Sequence, residues 1–183
     1  NLDGGVVDIN SFTQARNINS YGSSLDFRFS GGTYRPNAAE STFPQRTMSS
    51  FTVGEGGAKF DLCETNMLTL AQALTTADGV EKDGGIALTA TDDAYLMLSV
   101  ANSFNGPITV DGGTILPAVA EAAGCAEGVV VNGAGVFDAN GFEFTYSYLR
   151  GAGGTYANGA LTVTGDVTPT AGTLTIAAPL TFA

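Results

Sequence analysis

The chain has 183 residues, 25 of them glycine, and a formal net charge of -11 at pH 7. Such an acidic surface repels phosphate backbones, and the seven lysines and arginines stand singly, so nucleic-acid binding is not expected. Histidine is absent, which excludes catalytic triads with a histidine base and zinc sites with histidine ligands. No stretch is apolar over a sufficient length to predict insertion into a membrane.

Pairs of small residues, mostly Gly-Gly, open one run of alternating apolar residues after another. The pairs begin at positions 4, 31, 56, 84, 112, 133, 153 and 171, so successive steps span about 27, 25, 28, 28, 21, 20 and 18 residues. The segments 7–12 and 137–142 also share the pattern apolar-Asp-x-Asn-small-Phe, and 57–62 is a partial third copy. Repeats of this length are typical of solenoids, and glycine permits the positive φ that a tight corner needs.

The alternating runs between these corners predict short parallel strands, with one set of side chains in a central core. The predicted fold is therefore an all-β parallel β-helix, or β-solenoid, of roughly seven or eight rungs. We expect residues 1–183 to form a single solenoid segment of a longer surface protein. The inward-facing side chains are predicted to be Val6, Phe60, Leu88, Val110, Ile115, Val130, Val136, Leu161, Val163, Leu174 and Ile176.

Three segments depart from the repeat. Residues 34–44 are polar and include two prolines, which indicates a loop or excursion. Residues 66–78 carry apolar residues at helical spacing, but their place inside the repeat favours a strand. The alanine-rich run 117–123 begins with proline, so a short loop or one helical turn is expected to protrude from the rod near 116–127.

The end of the chain, 174–182, again has the pattern of a strand, and no polar cap is recognised at either end. Open strand edges pair with further strands unless something covers them. Further rungs, or self-association with another copy of the chain, are therefore the expected partners at the ends of the solenoid.

The segments 53–61, 79–88 and 98–115 carry a family resemblance. The last of them reads LSVANSFNGPITVDGGTI. It resembles the passenger-associated transport repeat (autotransporter-associated β-strand repeat) of bacterial autotransporters, whose signature is leucine, a small residue, asparagine, an aromatic residue, glycine, threonine-valine and glycine-glycine-threonine. The flanks 2–12 and 128–164 resemble its linking rungs. The resemblance implies a right-handed β-helix in a secreted, extracellular or cell-surface bacterial protein. It brings no catalytic residue and no cofactor, so we expect a non-enzymatic structural or adhesive module, an adhesin whose partner is a surface glycan or a host protein.

The alternative is a polysaccharide-acting β-helix enzyme, a glycosidase or lyase that uses loop carboxylates. Asp92 and Asp93 form the one adjacent pair, whereas Asp83 and Asp111 each precede a Gly-Gly pair and would stack on one face. The competing interpretation makes these residues turn aspartates that accept hydrogen bonds from following amides. Together with Asp78 they could also hold an adventitious calcium ion, although neither the calcium-binding nonapeptide nor the EF-hand spacing is present.

Four aromatic residues alternate along one predicted strand: Phe142, Phe144, Tyr146 and Tyr148. Side chains two residues apart project from the same face of a strand, so the four rings would form either a core stack or an outward strip for binding. Polar residues lie between them, which favours the core.

Cys63 and Cys125 follow Gly-Gly pairs that are about two rungs apart in the repeat. Two rungs separate Cα atoms by roughly 9.6 Å, beyond the 4.4–6.8 Å usual for a disulfide. We therefore predict that both cysteines remain thiols. A disulfide stays possible in the alternative in which the segment around Cys125 folds back along the rod. The family resemblance also implies few widely spaced disulfides.

Overall fold

A computed structural model describes residues 6–9, 26–36, 41–44, 47–63, 67–91 and 93–183. The described residues are all-β, as the repeat predicts. The strands are β1 (Val6–Ile9), β2 (Asp26–Phe29), β3 (Thr33–Pro36), β4 (Thr42–Phe43), β5 (Ser50–Val53), β6 (Ala58–Asp61), β7 (Met67–Leu70), β8 (Thr75–Thr76), β9 (Ile86–Thr89), β10 (Tyr95–Leu98), β11 (Ile108–Val110), β12 (Thr114–Pro117), β13 (Gly128–Val131), β14 (Gly133–Asp138), β15 (Phe144–Ala157), β16 (Leu161–Ala171), β17 (Thr175–Ala177) and β18 (Leu180–Phe182).

The strands stack in parallel into the sides of a β-solenoid of about 7 turns, which confirms the predicted architecture. Sheet A consists of β2, β5 and β8. Sheet B runs from β1 through β3, β6, β9, β11 and β13 to the first half of β15, then β16 and β18. Sheet C runs from β4 through β7, β10, β12 and β14 to the second half of β15, then β17. Each rung crosses sheet B before sheet C.

The rungs shorten along the chain. Residues that pair in sheet B are 26 and 28 residues apart in the early rungs, and 22, 21 and 20 apart in the later ones. The prediction that the glycine pairs at 84 and 112 occupy equivalent corners one rung apart is wrong. Gly84 and Gly85 precede β9 in sheet B, whereas Gly112 and Gly113 precede β12 in sheet C.

Most of the predicted core faces inward. The confirmed residues, each at most 1% exposed, are Phe60, Leu88, Val110, Ile115, Leu161 and Val163. Leu174 and Ile176, in the last rungs, pack against the core but are only half-buried. The side chain of Val6 lies outside the described residues.

Two predicted core residues, Val130 and Val136, face outward. Their neighbours Val129, Val131 and Phe137 are fully buried instead. In both segments consecutive apolar residues offer either phase, and the pairing with β11 and β12 selects the buried one. A run without polar alternation does not reveal which face is inside.

The segment 34–44 is not simply a loop. Tyr34 ends up inside β3 and Phe43 inside β4, and both side chains are fully buried with ring centroids 4.1 Å apart. Residues 37–40 lie outside the described residues. Between 67 and 78, β7 and β8 confirm the predicted strand over the alternative helix, and residue 66 is outside the described ranges.

The alanine-rich segment forms one 3-10 turn, Ala120–Ala123, as predicted. It does not protrude, however, because Ala122 and Ala123 are buried and the amide of Cys125 bonds to the carbonyl of Phe104 at 2.9 Å. Small side chains allow the turn to pack against the coil. Within the described ranges, no helix is long and apolar enough to cross a membrane.

The three sheets present different outer faces. In sheet A, β2 and β5 direct Asp26, Arg28, Ser50 and Thr52 outward. In sheet B, the outward residues of successive strands include positive and negative side chains. In sheet C, the outward residues of β7, β10 and β12 are uncharged: Met67, Thr69, Tyr95, Met97, Thr114 and Leu116. Among these strands, the charged outward side chains therefore lie on sheets A and B.

Candidate functional site

Asp83 is a structural carboxylate. Its side chain is 2% exposed, and Oδ1 accepts hydrogen bonds from the amides of Gly85 and Gly106, both at 2.8 Å. Oδ2 accepts from the amide of Asn105 at 2.9 Å and from the hydroxyl of Thr76 at 2.5 Å. The turn interpretation is confirmed for this residue, and its bonds to Asn105 and Gly106 also join two rungs. Its oxygens are fully engaged and face no solvent.

Asp111 does not share a face with Asp83. It is exposed at the end of β11, one position past the pairing of Val110 with Leu88, and it accepts a hydrogen bond from Nδ2 of Asn132 at 2.7 Å. The expected stacking fails because the two Asp-Gly-Gly sequences mark different corners of the coil.

The remaining carboxylate candidates stay apart. Asp92 lies outside the described residues, and Asp93 and Asp78 are exposed. In the part of the chain that the structure describes, no three histidine, cysteine, aspartate or glutamate side chains converge as a metal site requires.

The aromatic strip is divided between core and surface. Phe144 and Tyr146 are 8% and 4% exposed and stack at 5.8 Å, as the core prediction requires, and Phe142 is half-buried. A register shift between Tyr146 and Tyr148 then reverses the alternation, so that Leu149 is buried and Tyr148 faces out. The prediction of one common face is wrong beyond Tyr146.

Tyr148 does not offer an open stacking platform. The Cζ atom of Arg150 lies 4.2 Å from the centroid of its ring. Burial, and then the negative charge of Glu127, raise the pKa of the Tyr148 phenol, and Glu127 itself pairs with Lys82 at 2.5 Å. One face of the ring is thus occupied by the protein's own cation.

A groove of about 420 Å³ crosses the outer face of sheet B. We call it the sheet B groove. It is lined by Thr33, Arg35, Lys59, Asp61, Thr89 and Asp111, with Ala87 between them. The register brings these residues together, because Thr33 pairs with Lys59, Lys59 with Ala87, and Asp61 with Thr89. Alternate residues of β3, β6 and β9 therefore form two columns of outward side chains across successive rungs, polar except at Ala87.

Arg35 and Asp61 orient each other at one end of the sheet B groove. Nε and Nη2 of Arg35 donate to Oδ2 of Asp61 at 2.9 and 2.5 Å, and the backbone amide of Cys63 donates to Oδ1 at 3.1 Å. Burial favours the neutral acid, but the hydrogen bonds from Cys63 and Arg35 outweigh it and lower the pKa of Asp61 below 3.8. Asp61 is therefore a carboxylate at neutral pH.

The lowered pKa of Asp61 bears on the alternative of a polysaccharide-acting enzyme. Glycoside hydrolysis needs one carboxyl group that stays protonated to act as the acid, which requires a raised pKa. Asp61 has the opposite shift, and Asp111 already accepts a hydrogen bond. The groove thus offers fixed donors and acceptors of hydrogen bonds.

The sequence interpretation missed the sheet B groove. Its basic residues, Arg35 and Lys59, stand singly in the chain and belong to different rungs. The available signal was the repeat itself, since residues 26 or 28 positions apart are neighbours in sheet B. Polar side chains at such spacing are candidates for one surface.

Both cysteines are exposed and are not bridged to each other, as predicted. Cys63 follows β6 at the end of its sheet B strand, whereas Cys125 comes before β13. The two therefore lie at opposite ends of the strands of sheet B as well as on different rungs. The alternative, in which the alanine-rich segment folds back to form a disulfide, is wrong.

The chain was compared with known proteins. It matches no family model, no curated protein and no solved structure.

Proposed function

We propose that this chain is a non-enzymatic structural or adhesive β-solenoid module of a bacterial cell-surface or extracellular protein. The observation that carries the proposal is the use of its carboxylates. Asp83 is buried in four hydrogen bonds, Asp61 is held ionised by hydrogen bonds from Cys63 and Arg35, and Asp111 is engaged by Asn132. Carboxylates that orient rungs and neighbours support a scaffold with a binding face.

The placement on a bacterial surface rests on the resemblance of 98–115 to the autotransporter-associated repeat. That segment supplies β11 and the corner before β12, so its glycines and asparagines lie at turns of the coil. A repeat built from turn and core residues supports a structural role. Assembly is supported by Phe182 of β18, a large apolar side chain that is 64% exposed and available for contact with a further rung or another copy.

The test separates binding from catalysis. Beads coated with the purified chain are expected to adhere to polysaccharide-coated surfaces or bacterial cells more than beads coated with an unrelated acidic protein. Incubation with the same polysaccharides should release neither new reducing ends nor unsaturated sugars. Product release that disappears in Asp111→Asn would contradict the proposal and favour the polysaccharide-acting enzyme.

The location has its own measurement. In cells that produce the natural protein, an antibody against this segment should label intact cells or the culture fluid. Protease added to intact cells should remove the cell-bound signal. Signal that is found only after cell lysis would refute a surface location.

A further inference from the structure

We propose that the sheet B groove binds a neutral glycan chain that crosses the strands and follows the axis of the rod. This inference rests on the proposed adhesive role and names the ligand class of that face. Four rungs contribute to the groove, through β3, β6, β9 and the residue after β11. A ligand that repeats along its own length fits a surface that repeats along the rod.

The hydrogen-bonding groups of the sheet B groove match sugar hydroxyls. Arg35 and Lys59 supply only donors, and Asp61 and Asp111, as carboxylates, only acceptors. Thr89 supplies a hydroxyl that can do both. Each sugar hydroxyl is itself a donor and an acceptor, so neighbouring hydroxyls can bond to a surface on which donors and acceptors alternate.

Charge selects a neutral ligand over an acidic one. Two cations, Arg35 and Lys59, and two carboxylates, Asp61 and Asp111, leave the sheet B groove with no net charge. The whole chain carries -11, so a polyanion approaching any face is repelled over a distance of about 8 to 10 Å at ordinary salt. A polyhydroxylated chain without charge meets no such barrier.

Three polar side chains of the sheet B groove, Arg35, Asp61 and Asp111, are held in place before a ligand arrives. Arg35 is fixed by its two bonds to Asp61. Asp111 is fixed by Asn132, whose Oδ1 in turn accepts the amide of Ala152 at 2.9 Å. Side chains that are already oriented lose less entropy on binding, which favours recognition of a weakly interacting ligand.

Ala87 gives the sheet B groove an apolar floor. It is half-buried between Lys59 and Thr109 in the register of sheet B. Sugar rings expose C–H groups on one face and hydroxyls at their edges. A small apolar floor with polar walls accommodates both.

The experiment titrates the isotope-labelled chain with oligosaccharides and follows backbone amide resonances. The neutral probes are oligomers of glucose, mannose, galactose, xylose and N-acetylglucosamine, and the acidic comparator is oligogalacturonate. We expect at least one neutral oligomer to shift resonances of Lys59, Ala87 and Thr89. The affinity should stay the same between low and high salt, because no net charge is neutralised.

Two variants with matched controls locate the binding. Lys59→Ala and Thr89→Val each remove one exposed donor of the sheet B groove and should weaken binding about three- to tenfold, the effect of one hydrogen bond. The controls are Lys82→Ala, an exposed lysine paired with Glu127, and Thr162→Val, a threonine on β16 of the same sheet. Both controls should bind as the wild type does.

The outcomes separate this inference from the proposed function. No response to any neutral oligomer, response only to oligogalacturonate at low salt, or equal loss in groove and control variants would each overturn the glycan groove. Adhesion of coated beads that is unaffected by Lys59→Ala and Thr89→Val would leave the adhesive module standing without this groove. Binding followed by cleavage of a neutral oligomer would keep the groove and overturn the non-enzymatic function.

Discussion

Replacement of Asp83 tests whether buried side chains hold the rungs together. In Asp83→Ala, three donors lose their acceptor: the amides of Gly85, Asn105 and Gly106. The hydroxyl of Thr76 also loses Asp83 but keeps the carbonyl of Ser103 at 3.3 Å. In Asp83→Asn, the remaining oxygen can still serve Gly85 and Gly106, and the threonine hydroxyl can rotate to accept from the new amide. Only the amide of Asn105 then faces another donor.

The magnitude follows from the number of unpaired donors. Each buried donor without a partner costs about 1–3 kcal/mol, so Asp83→Ala, with three such donors, should lose at least about 3 kcal/mol and Asp83→Asn about 1 kcal/mol. Asp111 provides the control, because it also precedes Gly-Gly but is exposed and accepts a hydrogen bond from Asn132. Water replaces that bond, and Asp111→Ala should lose less than about 1 kcal/mol.

Urea unfolding followed by circular dichroism measures the free energy of unfolding of the three variants and the wild type. Because solenoids can unfold one region at a time, hydrogen exchange at the amides of Gly85 and Gly106 provides a local readout. Exchange should accelerate in Asp83→Ala and stay unchanged in Asp111→Ala. An Asp83→Ala protein as stable as Asp111→Ala would refute the assignment of Asp83 as a link between rungs.

Further expected outcomes concern the backbone, the core, pH and assembly. Gly85→Ala should unfold the chain or lower its stability far more than Gly79→Ala. Both glycines have positive φ, but only at Gly85 would the added Cβ clash with the carbonyl oxygen of Pro107 in the next rung. Thermal unfolding of the pair checks this, and equal losses would contradict it. Tyr146→Phe should be neutral or stabilising by up to about 1 kcal/mol in urea unfolding, because the buried hydroxyl has no hydrogen-bond partner among the described residues. The lowered pKa of Asp61 stabilises the folded chain above pH 3.8, and this stability is lost as the pH falls through the pKa that Asp61 has in the folded chain. Asp61→Asn should therefore be less stable than the wild type at neutral pH and equally stable in strong acid. A difference in stability that stays constant across an acid titration would count against the ion pair. Light scattering should show the 183-residue polypeptide associating as concentration rises, and a strict monomer throughout would contradict pairing at its open edges.

The architecture could be predicted because glycines mark the corners of the coil. Which sheet each corner leads into could not be predicted. Gly85 and Gly113 both have a φ of 67°, yet the first leads into sheet B and the second into sheet C. Both corners place the same demand on the backbone, so both select Asp-Gly-Gly. Only the pairing of neighbouring rungs distinguishes them.

The sheet B groove could not be predicted for a related reason. Thr33, Lys59 and Ala87 are separated by whole rungs, and each by itself is an ordinary outward residue of a strand. Their proximity depends on the register, and the register depends on which neighbour of each apolar pair is buried. Val129 and Val130 show that the sequence leaves this choice open.

The third side of the rod shows how buried polar side chains replace a sheet where it ends. Within the described residues sheet A stops at β8, and the next rung contributes an isolated bridge between Thr75 and Ser103. Beside this bridge, Oδ1 of Asn102 accepts a hydrogen bond from the amide of Leu74 at 2.8 Å, and its Nδ2 donates to the carbonyl of Ala122 at 2.5 Å. One side chain thus connects three successive rungs.

Asn105, three residues later in the chain, also bonds to backbone groups of a neighbouring rung. Its Oδ1 accepts the amide of Asp83 and its Nδ2 donates to the carbonyl of Glu81, both at 2.9 Å. Asn102 and Asn105 both belong to the segment 98–115 that resembles the autotransporter-associated repeat. Its polar positions therefore satisfy backbone groups that no strand pairs, which buried backbone requires. The polar positions of this pattern thus serve the solenoid fold itself.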